Sequence, residues 1–265
     1  MQFFLELWTE INHKASLRAR AETHPSLPSL NDSSSDAAEG TIFEELVQQY
    51  EKLVSRTEDM VVQLVCTEVE AAWKTYFVGC AVLLTAHPLG GNNLPCAHSR
   101  GEASSTHSDI FIPPTLLSAL SILSSHLTAL YRTIPRASMN TIYRRIGSHL
   151  NTHILQRAIL YRRPGEVTNV ERKSLQRESE LWVETCRLAL PGAGERVEVP
   201  WRRLVQAGRV LGADDEVWTR ILKVSFDDGV GVEEWENRIS ELMDCADISR
   251  EEFRMIARTR EDCAI

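Results

Sequence analysis

Residues 41–78 read TIFEELVQQYEKLVSRTEDMVVQLVCTEVEAAWKTYFV, and no proline or glycine interrupts them. Apolar residues recur at Phe43, Leu46, Val47, Tyr50, Leu53, Val54, Met60, Val61, Leu64 and Val65, and the spacing continues through Val69, Ala72, Trp73, Tyr76 and Phe77. Steps of three and four keep such residues along one side of an α-helix. Thr41 and Glu44 fit a capping box, in which hydroxyl and carboxylate satisfy orphan backbone N–H groups. At about 1.5 Å per residue the segment predicts a rod of roughly 55–65 Å. Compact enzymes seldom use helices of that length, whereas rod-like bundles do.

The same pattern extends outward. Residues 2–20 read as an amphipathic helix with Phe3, Phe4, Leu7, Trp8 and Ile11 on one side. Residues 23–40, rich in Ser, Pro and Asp, and residues 87–113, with Gly90-Gly91-Asn92-Asn93, lack periodicity and are expected to be loops. Pro114 suits the first turn of a helix that ends before Pro135. The next helix, residues 139–163, carries a stripe from Met139 through Ile146 and Ile154 to Tyr161, and Pro164-Gly165 stops it. Thr168 and Glu171 form a second capping box, opening the helix that contains SELWVETCRLAL. Shorter helices follow in PWRRLVQAGRVL, DDEVWTRILKVSF, VEEWENRISELM and SREEFRMIARTRED. Only Arg196–Val199 alternates like a strand, and four residues make no sheet. The expected fold is therefore an all-α bundle of eight or nine helices, divided into residues 1–112 and 113–265.

The chain has 265 residues, 37 acidic and 29 basic, with a formal net charge of −8. Such a balance argues against bulk attraction to nucleic acid or anionic lipid. Charge is nevertheless uneven: residues 79–163 hold eight arginines and two acids. Arg144, Arg145, Arg157, Arg162 and Arg163 all fall on one expected helix. The bland reading is a solvated face, or bridges to Glu178, Glu180 or Glu184 on the next helix. The functional reading is a protein-binding surface that includes Arg144, Arg145 and Arg157. The longest apolar run, Tyr76 to Ala86, falls short of the about 20 residues a membrane span needs. The opening MQFFLELWTEI carries Glu6 and Glu10 where a secretory signal would be uninterrupted. Six cysteines lie far apart with no C-x-x-C pair, so reduced thiols in the cytosol are expected.

No motif predicts chemistry. His149 and His153 share a helix face, but the Glu of H-E-x-x-H is missing, and no metal or cofactor is expected. The stretch around Asp227-Asp228-Gly229 imitates an EF-hand, yet Val224 and Phe226 would occupy ligand positions. A second imitation at Asp247-Ile248-Ser249 would place Met243 and Cys245 there. Phosphate-binding loops and nucleophile elbows are missing as well, so enzymatic activity is not expected. Trp8, Trp73, Trp182, Trp201, Trp218 and Trp235 occur one per helix at core-facing spacing, which packing explains. Gly208, inside QAGRVL, marks a close approach of helices.

The runs YRRIGSHLNTHILQRAILYRR, ESELWVETCRLAL and PWRRLVQAGRVL resemble the carboxyl-terminal region of the RINT/TIP family. These are the Rad-fifty-interactor and Tip-twenty type subunits of the Dsl tethering complex. FFLELW at 3–8, FEELVQQYEKLVSRTEDMVVQLV and LSSHLTALYRTIP are similar to it too. The resemblance implies an elongated helical rod of the multisubunit-tether (CATCHR) type, without cofactor, in retrograde transport from Golgi to endoplasmic reticulum. Its implied partners are other tether subunits and endoplasmic-reticulum SNAREs, with no nucleic acid and only peripheral, indirect membrane contact. It implies a cytoplasmic protein on the endoplasmic-reticulum membrane. Family members are longer, so the chain is expected to be a fragment, a mispredicted gene start or a shortened paralogue lacking the region that pairs with the sister subunit. An exocyst or conserved oligomeric Golgi subunit is the alternative with the same architecture.

Overall fold

The computed structural model describes residues 44–85, 114–227, 229–243, 245 and 247–263, together with residues 6, 9, 10 and 13. Thr41, Trp8 and the expected loops at 23–40 and 87–113 lie outside the described residues, as does most of the expected amino-terminal helix. Glu6, Thr9, Glu10 and His13 of that helix are helical.

Among the described residues the chain is all α, and no strand forms. Helix α1 is Glu44–Thr85, α2 Pro114–Thr133 and α3 Arg136–Leu155. Helix α4 is Asn169–Ala189, α5 Arg202–Gly212 and α6 Asp215–Phe226. Helices α7 (Val232–Met243) and α8 (Arg250–Arg258) complete the order. The 42 residues of α1 extend about 63 Å at 1.5 Å per residue. The alternation at Arg196–Val199 resolves into two 3-10 turns, Gly194–Val197 and Val199–Trp201, with Pro200 inside the second.

The chain divides into two compact units, Met1–Val61 and Val62–Ile265. In the first, Leu46, Tyr50, Leu53 and Met60 of α1 are exposed, while Val47, Val54 and Val61 are half-buried. In the second, α1 buries Val65, Cys66, Val69 and Trp73. Side chains of leucine size each contribute roughly 1.5–3 kcal/mol when fully buried. The centre of this unit is aromatic. Trp182 of α4 stacks on Trp201 at 5.7 Å between ring centroids, and the Trp201 indole N–H donates to the Tyr143 hydroxyl at 3.0 Å. Tyr143 in turn donates to the Val197 carbonyl at 2.6 Å. All five tryptophans among the described residues are buried, as their spacing requires.

Helix α4 lies against α5 along much of its length, and glycine permits it. A Cβ added to Gly208 would come within 3.1 Å of Ser179 Cβ and 3.2 Å of the Gln176 Cα, closer than an alanine tolerates without a shift. The capping box that opens α4 is complete: the Glu171 N–H donates to Thr168 Oγ1, and the Thr168 N–H donates to the Glu171 carboxylate at 3.1 Å.

Helix α3 ends differently from the expected run to Arg163. It passes into a π-helical turn at Gln156–Leu160, in which the Tyr161 N–H reaches back to the Gln156 carbonyl. The extra residue keeps Ala158 and Ile159 buried. Arg162 and Arg163 consequently lie beyond the helix, and Arg162 turns to Glu166 and Glu171. The segment after it, residues 165–172, is stitched to the carboxyl-terminal end. Gly165 and Val167 donate backbone N–H groups to the carbonyls of Arg258 and Thr259, and Glu261 returns one to Val167.

Arg260 holds that end in place. Its side chain is fully buried, lies 3.8 Å over the Trp218 ring and donates to the carbonyls of Leu211 and Ala213, each at 3.1 Å. It also grips Asp262 with two parallel bonds of 2.8 and 2.6 Å. Asp262 accepts a further bond from buried Arg172 at 2.9 Å. Two cations thus share one carboxylate, which explains how both survive away from water.

Candidate functional site

Arg144, Arg145 and Arg157 are all exposed, but they do not form one cluster. Arg144 and Arg157 are 13 residues apart, which places them about 140° apart around an α-helix. Arg157 sits in the π turn near His153. Of the three acids named as possible partners for these arginines, Glu180 and Glu184 are held by Arg177 of their own helix at 3.1 and 3.2 Å, and Glu178 accepts from Ser174 at 3.0 Å.

Arg144 belongs to a recess of about 210 Å³ between the end of α2, the first turns of α3 and the loop after α4. Arg136 and Arg196 line it with Arg144, and among the described residues no Asp or Glu lines it. All three arginines are exposed. Buried Met139, Leu190 and Val197 and exposed Pro191 give the lining an apolar part, beside Tyr131, Asn140 and Tyr143. The walls are pinned from beneath, because Tyr131 donates to the Pro191 carbonyl at 2.8 Å and Tyr143 to that of Val197. The intervening turn uses Gly192 and Gly194 at φ +83° and +58°, where a side chain would be strained. Pro135 caps α3 without a side-chain acceptor, so first-turn N–H groups add partial positive charge beside the recess. The basic stretch legible in the sequence reaches Arg136, but nothing in it signals that Arg196, from a loop 52 residues past Arg144, joins the same opening.

A larger cleft of about 450 Å³ lies between α4 and α5 and has mixed charge. Its carboxylates are committed within the fold. Glu180 and Glu184 pair with Arg177, Glu198 with Arg187, and Asp247 accepts from Gln206 at 3.2 Å. Among the described residues no Cys, Ser or His lines it, and none pairs a nucleophile with a base there.

The remaining chemical candidates have structural partners. His149 Nε2 lies 2.7 Å from Glu70 of α1, and His153 Nδ1 lies 3.8 Å from the same carboxylate. His153 also meets Trp73 edge-on at 5.7 Å. Burial lowers the His153 pKa below its ordinary 6.5, against the opposing pull of Glu70. His126 pairs with Glu68 at 2.7 Å. Among the described residues no group of three or more His, Cys, Asp or Glu side chains is arranged to hold a metal. In the EF-hand-like loop after α6, the carbonyls of Asp227 and Val230 accept from Arg250 at 2.6 and 2.7 Å, and that of Ser225 from Arg254 at 2.7 Å. With Gly229 as the turn glycine, Val230 would supply the backbone carbonyl of such a loop, and Arg250 takes it instead. Cys66 and Cys186 are buried, and burial pushes both thiols up to about 12, so both stay protonated and unreactive at neutral pH. No helix among the described residues is long and apolar enough to cross a membrane.

The arrangement offers surfaces: an arginine-lined recess and an exposed apolar stripe on α1. The family model described as the RINT-1/TIP-1 family matches residues 1–163. No curated protein and no solved structure matches the chain. The match covers more than half of the sequence and the whole of α1, α2 and α3, and the chain therefore belongs to the RINT-1/TIP-1 family, with a tether-related role in transport between endoplasmic reticulum and Golgi.

Proposed function

We propose that the chain is a non-enzymatic subunit, or part of one, of a vesicle-tethering complex acting in retrograde transport from Golgi to endoplasmic reticulum. In this reading it binds other tether subunits and endoplasmic-reticulum SNAREs, and it works on the cytoplasmic side of that membrane through protein contacts. The family match over residues 1–163 carries the proposal. The fold is consistent with it in a physical sense. A tether transmits position, so a continuous helix of 42 residues is itself a working part. The two candidate surfaces are those of a binding protein, and the thiols of Cys66 and Cys186 are held in their inert form.

Leu46, Tyr50, Leu53 and Met60 fall at steps of four, three and seven along α1, the seam a partner helix packs against. In the tether reading that partner is a helix of a neighbouring tether subunit. Affinity capture from cell lysate, read by mass spectrometry, tests the proposal with the chain and its Leu53→Glu/Met60→Glu variant as parallel baits. The proposal expects Dsl-type subunits or endoplasmic-reticulum SNAREs on the chain, with the tether subunits lost from the variant. Recovery of exocyst or conserved oligomeric Golgi subunits in their place would overturn the assignment to the Golgi-to-endoplasmic-reticulum route.

A further inference from the structure

We propose that the recess bounded by Arg136, Arg144 and Arg196 binds an acidic peptide segment of a partner protein, its carboxylates meeting the guanidiniums while an apolar side chain meets the apolar part of the lining. The inference rests on the recess alone and stands or falls separately from the tether reading.

Charge is the first argument. Several arginines of this fold have internal partners: Arg172 and Arg260 pair with Asp262, Arg177 with Glu180 and Glu184, Arg187 with Glu198 and Arg203 with Glu252. At this recess three arginines from two separate segments converge, and no described residue bonds to any of their side chains. Glu195, the neighbour of Arg196 in sequence, is exposed but does not line the opening. Holding three like charges around one concavity is unfavourable unless solvent or an anionic ligand screens them. Arginine suits the task, since its planar fork meets a carboxylate with two parallel bonds.

Size and chemistry of the lining decide which anion. The volume of about 210 Å³ is below the roughly 300–1,000 Å³ of small-molecule and cofactor sites. It holds one or two side chains. Met139, Leu190, Pro191 and Val197 line the recess together with the three arginines, so a ligand carrying both carboxylates and an apolar group matches more of the lining than a free phosphate or lipid headgroup, which has no apolar group to offer them. A peptide that alternates acidic with apolar side chains satisfies both parts of the lining together. The recess is also built in advance, because Tyr131 and Tyr143 fix the 190–197 loop through its carbonyls, and a site formed before binding loses less to ordering.

The test uses the whole chain and a fluorescent synthetic peptide alternating glutamate with leucine. A lysine–leucine peptide, inorganic phosphate and vesicles of phosphatidylcholine with phosphatidylserine serve as competing probes. The glutamate–leucine peptide is expected to bind, more weakly as salt rises. Arg144→Glu and Arg196→Glu should each weaken it by at least about tenfold, with unchanged circular dichroism. Arg144→Gln should weaken it less, and Arg209→Glu, which lines the other cleft, should leave it unaltered. Equal binding by Arg144→Glu and Arg196→Glu would overturn the proposal, as would equal binding of the lysine–leucine peptide. Vesicles or phosphate displacing the peptide through the same arginines would reassign the recess to phosphate and overturn it too.

Discussion

Two sets of arginines in this molecule have opposite fates. Arg260 and Arg172 are buried and converge on Asp262, with the carbonyls at the end of α5 and the ring of Trp218 completing the shell of Arg260. Arg136, Arg144 and Arg196 are exposed around an opening that no carboxylate among the described residues lines. The first set holds the carboxyl-terminal end against the start of α4 and is structural. The second contributes nothing visible to the fold, and its placement makes sense as recognition. An arginine's role here follows from what its guanidinium touches, and sequence position does not reveal that.

The sharpest way to break the contrast is to attack the buried set. Arg260→Ala removes the cation from a fully enclosed site and leaves three backbone carbonyls without their donor. Loss of one partner from such a pair costs on the order of 3 kcal/mol, so thermal unfolding should move down by roughly 10 °C. A shift of only a degree or two would mean that Arg260 is no more than a packed side chain. Next in size, Gly208→Val should destabilise by about 1–3 kcal/mol through overpacking of α4 against α5, seen in urea unfolding as a lower midpoint with an unchanged slope. The recess variants Arg136→Ala and Arg196→Ala should each stay within about 0.5 kcal/mol of the parent. A larger loss would make these arginines structural and erase the distinction.

The smallest effect concerns pH. His153 has its pKa lowered by burial, so the folded state binds fewer protons than the unfolded chain in the window below the ordinary 6.5. Stability supplied by the neutral ring is present above that value and falls as the pH drops through it toward the folded pKa. Chemical denaturation at stepped pH should show this decline, and His153→Asn should flatten it. An identical decline in the variant would point to other groups.

The elements most legible in the sequence were those set by local rules. The uninterrupted pattern of α1, the Thr168–Glu171 box and the close approach at Gly208 all depend on residues within a turn or two, or on the volume of a single side chain. Arg196–Val199 shows the limit. Its alternation is real, yet Val197 and Pro200 are buried beside Tyr143 and Gly147 in 3-10 turns, because tertiary packing outweighs a four-residue pattern. The π turn at Gln156–Leu160 likewise answers to the need to bury Ala158 and Ile159. Of the residues around the recess, the sequence singles out Arg144 alone, although the basic stretch around it also contains Arg136. Its companions Arg136 and Arg196 join it through the turn between α2 and α3 and the loop after α4, neither of which a helical pattern describes.

Co-elution tests the central claim most directly. The purified chain would be mixed with purified Dsl-type tether subunits and with the cytosolic regions of endoplasmic-reticulum SNAREs, then resolved by size-exclusion chromatography with light scattering. The account predicts a shift of the chain into a stable complex with at least one of them, reduced by Leu53→Glu/Met60→Glu when a tether subunit is the partner. Elution of the chain at its own mass in every mixture would contradict a binding role in that machinery.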